Sequence, residues 1–272
     1  LGRKAAIFMA VSALVVGLGW LVMHRTVSLE REPLILGHGG MGTRHWLPID
    51  SERSMIKAMS HPVDGVELDV QMTQDGILVA CHSDSIISDR GEKRMVADLV
   101  FSELADFRIH SWLTSDPVSP LSKLIHSAWP DSTVFSLDLK PYGLNSPFQL
   151  EVYRTAIFDL IDLHPNYVFL IESSDAQLLK QLKDEAVDAK LFYYSRSATE
   201  DLNTIKQLKL DGISIDLSII SEKEVRSCQS QGLLVMIWGT GSVFSNRKAL
   251  EMQPDLVQTD DIPSIMQLLD RP

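Results

Sequence analysis

Cysteine is almost missing from this chain: Cys81 and Cys228 are the two in 272 residues. Two thiols cannot build a disulfide framework, and both read as small apolar residues of the interior. Positive charge is also scarce. Lys and Arg number 25 against 36 Asp and Glu, for a net charge of -11. That excludes a nucleic-acid binder relying on a basic surface. It leaves room for a phosphorylated small molecule, because a bound cation can supply positive charge locally. The Gly-rich fingerprint of a dinucleotide fold does not follow the first apolar run, which weighs against such a fold. Internal repeats of fixed period and low-complexity tracts are missing as well, so a repeat array is excluded.

What the chain does have is an apolar fraction of 45% and a charged fraction of 22%, those of a globular protein. One stretch stands apart. Residues Ala5 to Met23 carry no charge and follow Arg3 and Lys4. As a helix rising about 1.5 Å per residue, they nearly cross a hydrocarbon core of about 30 Å. The run is longer than the apolar part of a secretory signal and ends in the bulky "WLVMHR". The expectation is a transmembrane signal-anchor with its linker over residues 1–31. Trp20 fits the interfacial belt and the basic N-terminus lies on the cytoplasmic side. The remainder, 32–272, would then lie on the non-cytoplasmic side, periplasmic or extracellular. Cleavage of the segment would make the protein secreted.

From residue 34 onward, β-rich apolar runs alternate with segments of helical spacing. The runs are "LILGH", "GVELDV", "ILVACH", "VFSLDLK", "YVFLIES", "LFYYS", "GISIDL", "LLVMIW" and "DLVQTD". Such alternation means βα units and a parallel sheet. About eight strands in a chain of this length predict a closed TIM (β/α)8 barrel. Residues 86–130 exceed a normal connection and are expected to form an insertion after the second strand, rising over one barrel face. Its pieces "MVADLVFSELADF" and "PLSKLIHSAW" read as helical.

Barrel enzymes place their chemistry at the C-terminal strand ends. His38 ends the first strand here, Glu67 and Asp69 lie near the end of the second, Asp138 and Lys140 end "VFSLDLK", and His82 ends "ILVACH". Residues two apart on a strand share a face, so Glu67 pairs with Asp69 and Asp138 with Lys140. Taken singly, these groups could be an exposed strand face, a structural ion pair or capped strand ends. Together, three converging carboxylates call for a hard cation such as Mg²⁺ or Ca²⁺. Two histidines on different segments can serve as general acid and general base at a phosphate, with Lys140 neutralising its charge.

These motifs resemble the glycerophosphodiester phosphodiesterase family. "GHGG" at 37–40 is similar to its opening His-Arg-Gly, and "GVELDVQMTQDGILVACHSD" to its Glu-x-Asp, Thr-x-Asp-Gly and His-Asp block. "PLSKLI", "LDLK", "MIWGT" and "PDLVQTDDIP" resemble later family segments in the right order. The resemblance implies a metal-dependent phosphodiesterase barrel. His38 and His82 would be its acid/base pair, and Glu67, Asp69 and Asp138 its cation ligands. Lys140, Arg44 and Trp238 would contact substrate. In the family mechanism a neighbouring glycerol hydroxyl attacks phosphorus, and water then opens the cyclic phosphate.

Four departures stand out. Gly39 replaces the family's arginine, with Arg44 as a substitute. "IDS" at 49–51 lacks a customary glutamate, for which Asp50 could compensate. Asp138 replaces a longer glutamate, and Ser83 replaces an aspartate. Three functions are therefore weighed. The first is hydrolysis of glycerophosphodiesters to glycerol 3-phosphate and an alcohol. The second is a lysophospholipase D-type reaction on a membrane lipid, and the third a non-catalytic binding barrel.

Overall fold

The computed structural model describes residues 26–126 and 128–271. The expected span at Ala5–Met23 lies outside the described residues. Among those described, no helix is long and apolar enough to cross a membrane.

Eight parallel strands close a barrel. In chain order they are β1 (Leu34–Gly37), β2 (Gly65–Met72), β9 (Val134–Leu139), β10 (Val168–Ser173), β11 (Lys190–Ser195), β12 (Gly212–Asp216), β13 (Leu234–Thr240) and β14 (Leu256–Thr259). Each pairs with the next, and β1 closes the ring by pairing with both β14 and β2. The strands are buried on both faces, which is why they read as continuous apolar runs. Their outward residues, such as Val66, Leu68, Phe135 and Ile171, pack under the helices in one large core. The surrounding helices are α1 (Glu52–Met59), α3 (Pro147–Asp162), α4 (Ala176–Asp184), α5 (Ala198–Gln207), α6 (Glu222–Gln229), α7 (Val243–Glu251) and α8 (Ile262–Leu269). Each starts behind a serine or aspartate whose side chain accepts a first-turn amide: Ser51, Ser146, Asp175, Ser197, Ser221, Ser242 and Asp261.

Inside the ring, alternate residues climb from apolar to polar. At the foot, Leu36, Val134, Leu170, Phe192, Met236 and Leu256 form a separate apolar cluster. Above it, Ser136, Ser214 and Gln258 all donate to Glu172. The C-terminal strand ends carry His38, Glu67, Asp69, Asp138, Tyr194, Trp238 and Asp260.

The run at 77–82 is not a barrel stave. Its central residues, β3 (Leu78–Ala80), fold back antiparallel onto the end of β2, with Val70 opposite Ala80. The "TQDG" turn between them closes on the Thr73 hydroxyl, which donates to Asp75 at 2.6 Å, and on Gly76 at φ 86°. The insertion is also less helical than its spacing suggests. It is mainly a four-stranded antiparallel sheet of β4 (Ile86–Ser88), β5 (Lys93–Arg94), β6 (Phe107–His110) and β7 (Ser115–Pro117). A short β8 (Ser119–Pro120) ties back to β3. The expected helix at 95–107 is two 3-10 turns, Val96–Asp98 and Phe101–Asp106. The cause is local. Gln74 N–H takes the Leu99 carbonyl at 2.8 Å, and Phe101 N–H is taken by Asp75 at 2.9 Å, so the helical ladder cannot run through. "PLSKLIHSAW" forms one turn, α2 (Leu121–Leu124). The apolar residues of the insertion, including Ile86, Val96, Leu104 and Phe107, have a small core of their own.

Candidate active site

Closure of the barrel sets Gly37 opposite Thr259, so the next residues, His38 and Asp260, meet at the mouth. His38 Nδ1 lies 2.8 Å from Asp260 Oδ1, and the Thr43 amide donates to the same oxygen at 2.7 Å. This leaves Nε2 facing Glu67 at 3.9 Å. Burial alone would lower the His38 pKa. The Asp260 hydrogen bond and the charges of Glu67, Asp260 and Asp69 outweigh it and lift the ring to about 10. For Asp260, burial pushes up, but the His38 bond and charge hold its carboxyl below the usual range. Sequence reading did not single out Asp260. The available signal was topological: in a closed barrel, the end of the last strand borders the end of the first.

Glu67, Asp69 and Asp50 are all buried. Glu67 Oε2 accepts the Gly39 amide at 2.9 Å, and Asp50 Oδ1 accepts the Asp69 amide at 3.1 Å. Asp50 Oδ2 and Asp69 Oδ2 have no hydrogen-bond partner. Burial, reinforced by the neighbouring Asp69 charge, pushes both Glu67 and Asp50 well above the usual carboxylate range. One ligand atom each from His38, Glu67 and Asp69 fits within a 4.8 Å group. Buried carboxylates with orphaned oxygens are costly unless something positive meets them. The carboxylate oxygens of Glu67 and Asp69, with Asp50 beside them, therefore fit a hard divalent cation.

Asp138 stands beside Asp69 in register, one strand over. Its Oδ2 accepts from Lys140 Nζ at 2.5 Å, and the same ammonium lies 3.3 Å from Asp69 Oδ1. Burial lifts Asp138 to about 8 against the pull of Lys140. Burial works against the charge on Lys140 too, but Asp138 and Asp69 more than offset it, so its pKa is raised. Thus Asp138 shares the carboxylate wall yet faces Lys140, and His38 rather than Asp138 completes the compact group. Lys140 Nζ also lies 5.7 Å from the Tyr194 ring centre, and Tyr194 stacks on Trp238 at 5.2 Å. Trp238 Nε1 is a buried donor with no partner.

His82 comes from the base of the insertion and is exposed. It lines, with Asp50, a cavity of about 350 Å³ between the insertion and the loop after β1. Arg44 is also exposed, its side chain lying across Gly241: a Cβ there would sit 3.1 Å from Arg44 Nε. Gly39 and Ile49, two departures from the family pattern, explain each other. Gly39 has φ 51°, and a Cβ on it would lie 2.4 Å from Ile49 Cβ. An arginine at 39 does not fit this backbone while Ile49 fills the space.

The sequence matches the glycerophosphoryl diester phosphodiesterase family over residues 38–264. Among curated proteins none matches. Solved structures share the fold. An Oleispira antarctica phosphodiesterase, solved with the product sn-glycerol-3-phosphate, is 20% identical with TM-score 0.76, covering 88% of this chain and 97% of its own. A glycerophosphodiester phosphodiesterase from Thermotoga maritima is 18% identical with TM-score 0.68, covering 88% and 99%. One from Parabacteroides distasonis is 16% identical with TM-score 0.67, covering 88% and 97%. With the family matched over most of its length and the strand-end cluster in place, this chain belongs to the glycerophosphoryl diester phosphodiesterase family and to its class of phosphoric diester hydrolases.

Proposed function

We propose that the protein hydrolyses glycerophosphodiesters to glycerol 3-phosphate and an alcohol, with His38 and His82 as the acid–base pair. The observation that carries this reading is the His38–Asp260 pair set over buried carboxylates with orphaned oxygens. Asp260 fixes the ring so that Nε2 is the nitrogen free to exchange a proton. A glycerol hydroxyl next to the phosphate gives its proton to one imidazole and forms a new O–P bond. The bond to the alcohol breaks, and the other imidazole protonates the leaving oxygen. Water then attacks the cyclic phosphate and the ring P–O bond breaks: the imidazole that gave up its proton takes one from the water, and the other returns its proton to the released glycerol oxygen, restoring both. Glu67 and Asp69, with Asp50 and Asp138 alongside, would hold a Mg²⁺ or Ca²⁺ ion, whose charge would offset that of the phosphate. Lys140 adds a fixed positive charge, and Arg44 and Trp238 Nε1 offer further phosphate or glycerol contacts. The test is turnover of a panel of glycerophosphodiesters by the purified chain with Mg²⁺ or Ca²⁺, then with EDTA. Release of glycerol 3-phosphate that stops on chelation is expected. Activity that survives chelation removes the cation, and no hydrolysis of any diester favours a binding barrel instead.

The reading also includes an anchor at Ala5–Met23, with the barrel outside the cytoplasm. The course of the linker then favours water-soluble substrates over lysophospholipids. Val27 N donates to Leu268 O at 3.0 Å, and Glu30 N to Gln253 Oε1 at 3.0 Å. Both acceptors lie at the foot of the barrel, at the end opposite the strand-end cluster. Three residues lie between Met23 and Val27, and an extended chain reaches only about 3.3–3.6 Å per residue. An anchored barrel would therefore stand on its foot with its mouth away from the lipid. Full-length protein in vesicles should hydrolyse added glycerophosphoglycerol faster than lysophosphatidylglycerol in the same bilayer; the reverse order supports the lipid reaction.

A further inference from the structure

The cavity of about 350 Å³ beside His82 is larger than a glycerol moiety needs and is walled by the insertion and the loop after β1. In an in-line displacement, the attacking and leaving oxygens lie on opposite sides of phosphorus. On the mechanism above, His38, just past β1 and tied to Asp260, serves one side, and His82, which lines the cavity, serves the other. The cavity lining therefore reads the alcohol that departs.

That lining is unusual in what it omits. Among the described residues that form it there is no Phe, Tyr or Trp, and Asp50 is its one carboxylate. Asp50 is wholly buried, and its unpartnered oxygen belongs with the carboxylates of the candidate cation site rather than with the cavity surface. Recognition of an ammonium head group relies on aromatic faces or free carboxylates, and neither is offered. The charge on the wall is instead positive. Arg108, on β6, is pinned by the carbonyls of Ala105 and Phe107 at 2.7 and 2.9 Å. Its partner Asp89, at 3.4 Å, is exposed and lies outside the cavity. Ile49, Ile87 and Ile109 supply an aliphatic surface around it.

We propose that this cavity is the leaving-alcohol pocket and that it selects diesters of uncharged or anionic alcohols, such as polyols, against those of choline and ethanolamine, with Arg108 as the discriminating residue. The inference rests on the phosphodiesterase reading above. A like charge set against the ammonium group of a bound substrate costs enough to lower kcat/KM by about tenfold or more.

The experiment compares kcat/KM of the cation-loaded full chain for glycerophosphoglycerol, glycerophosphoinositol, glycerophosphocholine and glycerophosphoethanolamine. The two polyol diesters should lead by about tenfold, and Arg108→Glu should shrink or reverse that ratio, mainly through KM. Ile87→Asp, at an exposed position, should move the ratio the same way if the Arg108 variant fails to fold. Equal rates, a preference for choline, or a ratio unmoved by either variant would overturn the inference. Calorimetry of the same diesters on His38→Ala separates the two readings. A preference for polyols in binding without any turnover in the wild type would sink the enzymatic reading and keep the pocket. Turnover with equal binding of all four would do the opposite.

Discussion

Buried carboxylates stand on neighbouring strands of the barrel, Glu172 beside Asp138 in register and Asp138 beside Asp69, and they are finished differently. Glu172 is 1% exposed, and its oxygens receive Ser136 Oγ at 2.6 Å, Ser214 Oγ at 2.5 Å and the Gln258 amide. Asp50 and Asp69 are as deeply buried, yet each keeps an oxygen that nothing meets. Folding alone favours the first arrangement, since every acceptor is satisfied within the chain. The second is incomplete by the same rule, and on the proposed reading a cation is the missing partner. A carboxylate is thus marked as functional here by what its environment withholds, rather than by burial.

The largest expected effect tests the unfinished side. If His38 is the proposed acid–base group, His38→Ala should lower turnover by about 10²–10⁴ while leaving the melting temperature within a few degrees. Asp260→Asn keeps the shape but weakens the hold on Nδ1, and should cost about 10–100-fold. It should also lower the His38 pKa, since the Asp260 bond and charge help raise it. A His38 resonance titrating near 6.5 in the wild-type apo protein would break this account.

Cation binding should separate the two groups more directly. A site filled at about 100 times Kd adds about 2.7 kcal/mol to stability, so Mg²⁺ or Ca²⁺ should raise the melting temperature measurably. Asp69→Asn should abolish that rise. Without cation it should melt no lower than wild type, because like charge is removed from beside Glu67 and Asp50. Glu172→Gln should keep the cation response in full. An equal loss in both variants would mean that the distinction between finished and unfinished carboxylates is wrong.

A smaller effect concerns the loop that frames the unfinished group. Gly39→Ala should destabilise by about 1–2 kcal/mol, the usual cost of an L residue in a left-handed conformation, with the Ile49 contact adding to it. Ile49→Ala in that background should recover part of the loss in chemical denaturation. If Gly39→Ala alone is neutral, the fit between the two departures is not what sets this backbone.

How far the sequence revealed this difference depends on the range of the signal. Strand alternation and helix caps are local, and they were legible: Ser51, Ser146, Ser221 and their counterparts stand where the helices begin. So was the spacing that puts Glu67 with Asp69 and Asp138 with Lys140 on shared faces. The Asp260 partner of His38 was not, because 222 residues separate them and only ring closure joins them. The insertion misled for a related reason. Its 3–4 spacing of apolar residues is real, but long-range bonds from Gln74 and Asp75 divert the backbone into 3-10 turns. Glu172 passed unnoticed because its three partners come from three different strands.

That last group permits the finest test. Burial raises the Glu172 pKa, while the Ser136, Ser214 and Gln258 bonds pull the other way without reversing the shift. A carboxyl whose folded pKa exceeds its unfolded value of about 4.3 favours the fold in its protonated form. The advantage is complete below the unfolded pKa and is lost as pH rises through the folded one. Glu172→Gln mimics the protonated state: its amide oxygen still accepts from Gln258 and Ser136, and its NH₂ can donate to a rotated Ser214 hydroxyl. Relative to wild type the variant should therefore gain stability as pH rises from about 4 to 8. Paired denaturation curves at the two pH values measure this. A variant that instead loses ground as pH rises would show that the three donors hold Glu172 as a stabilised anion. The polar ring above the barrel's apolar foot would then be a built anion site, and the contrast with the mouth would rest on the sign of its partners rather than on their number.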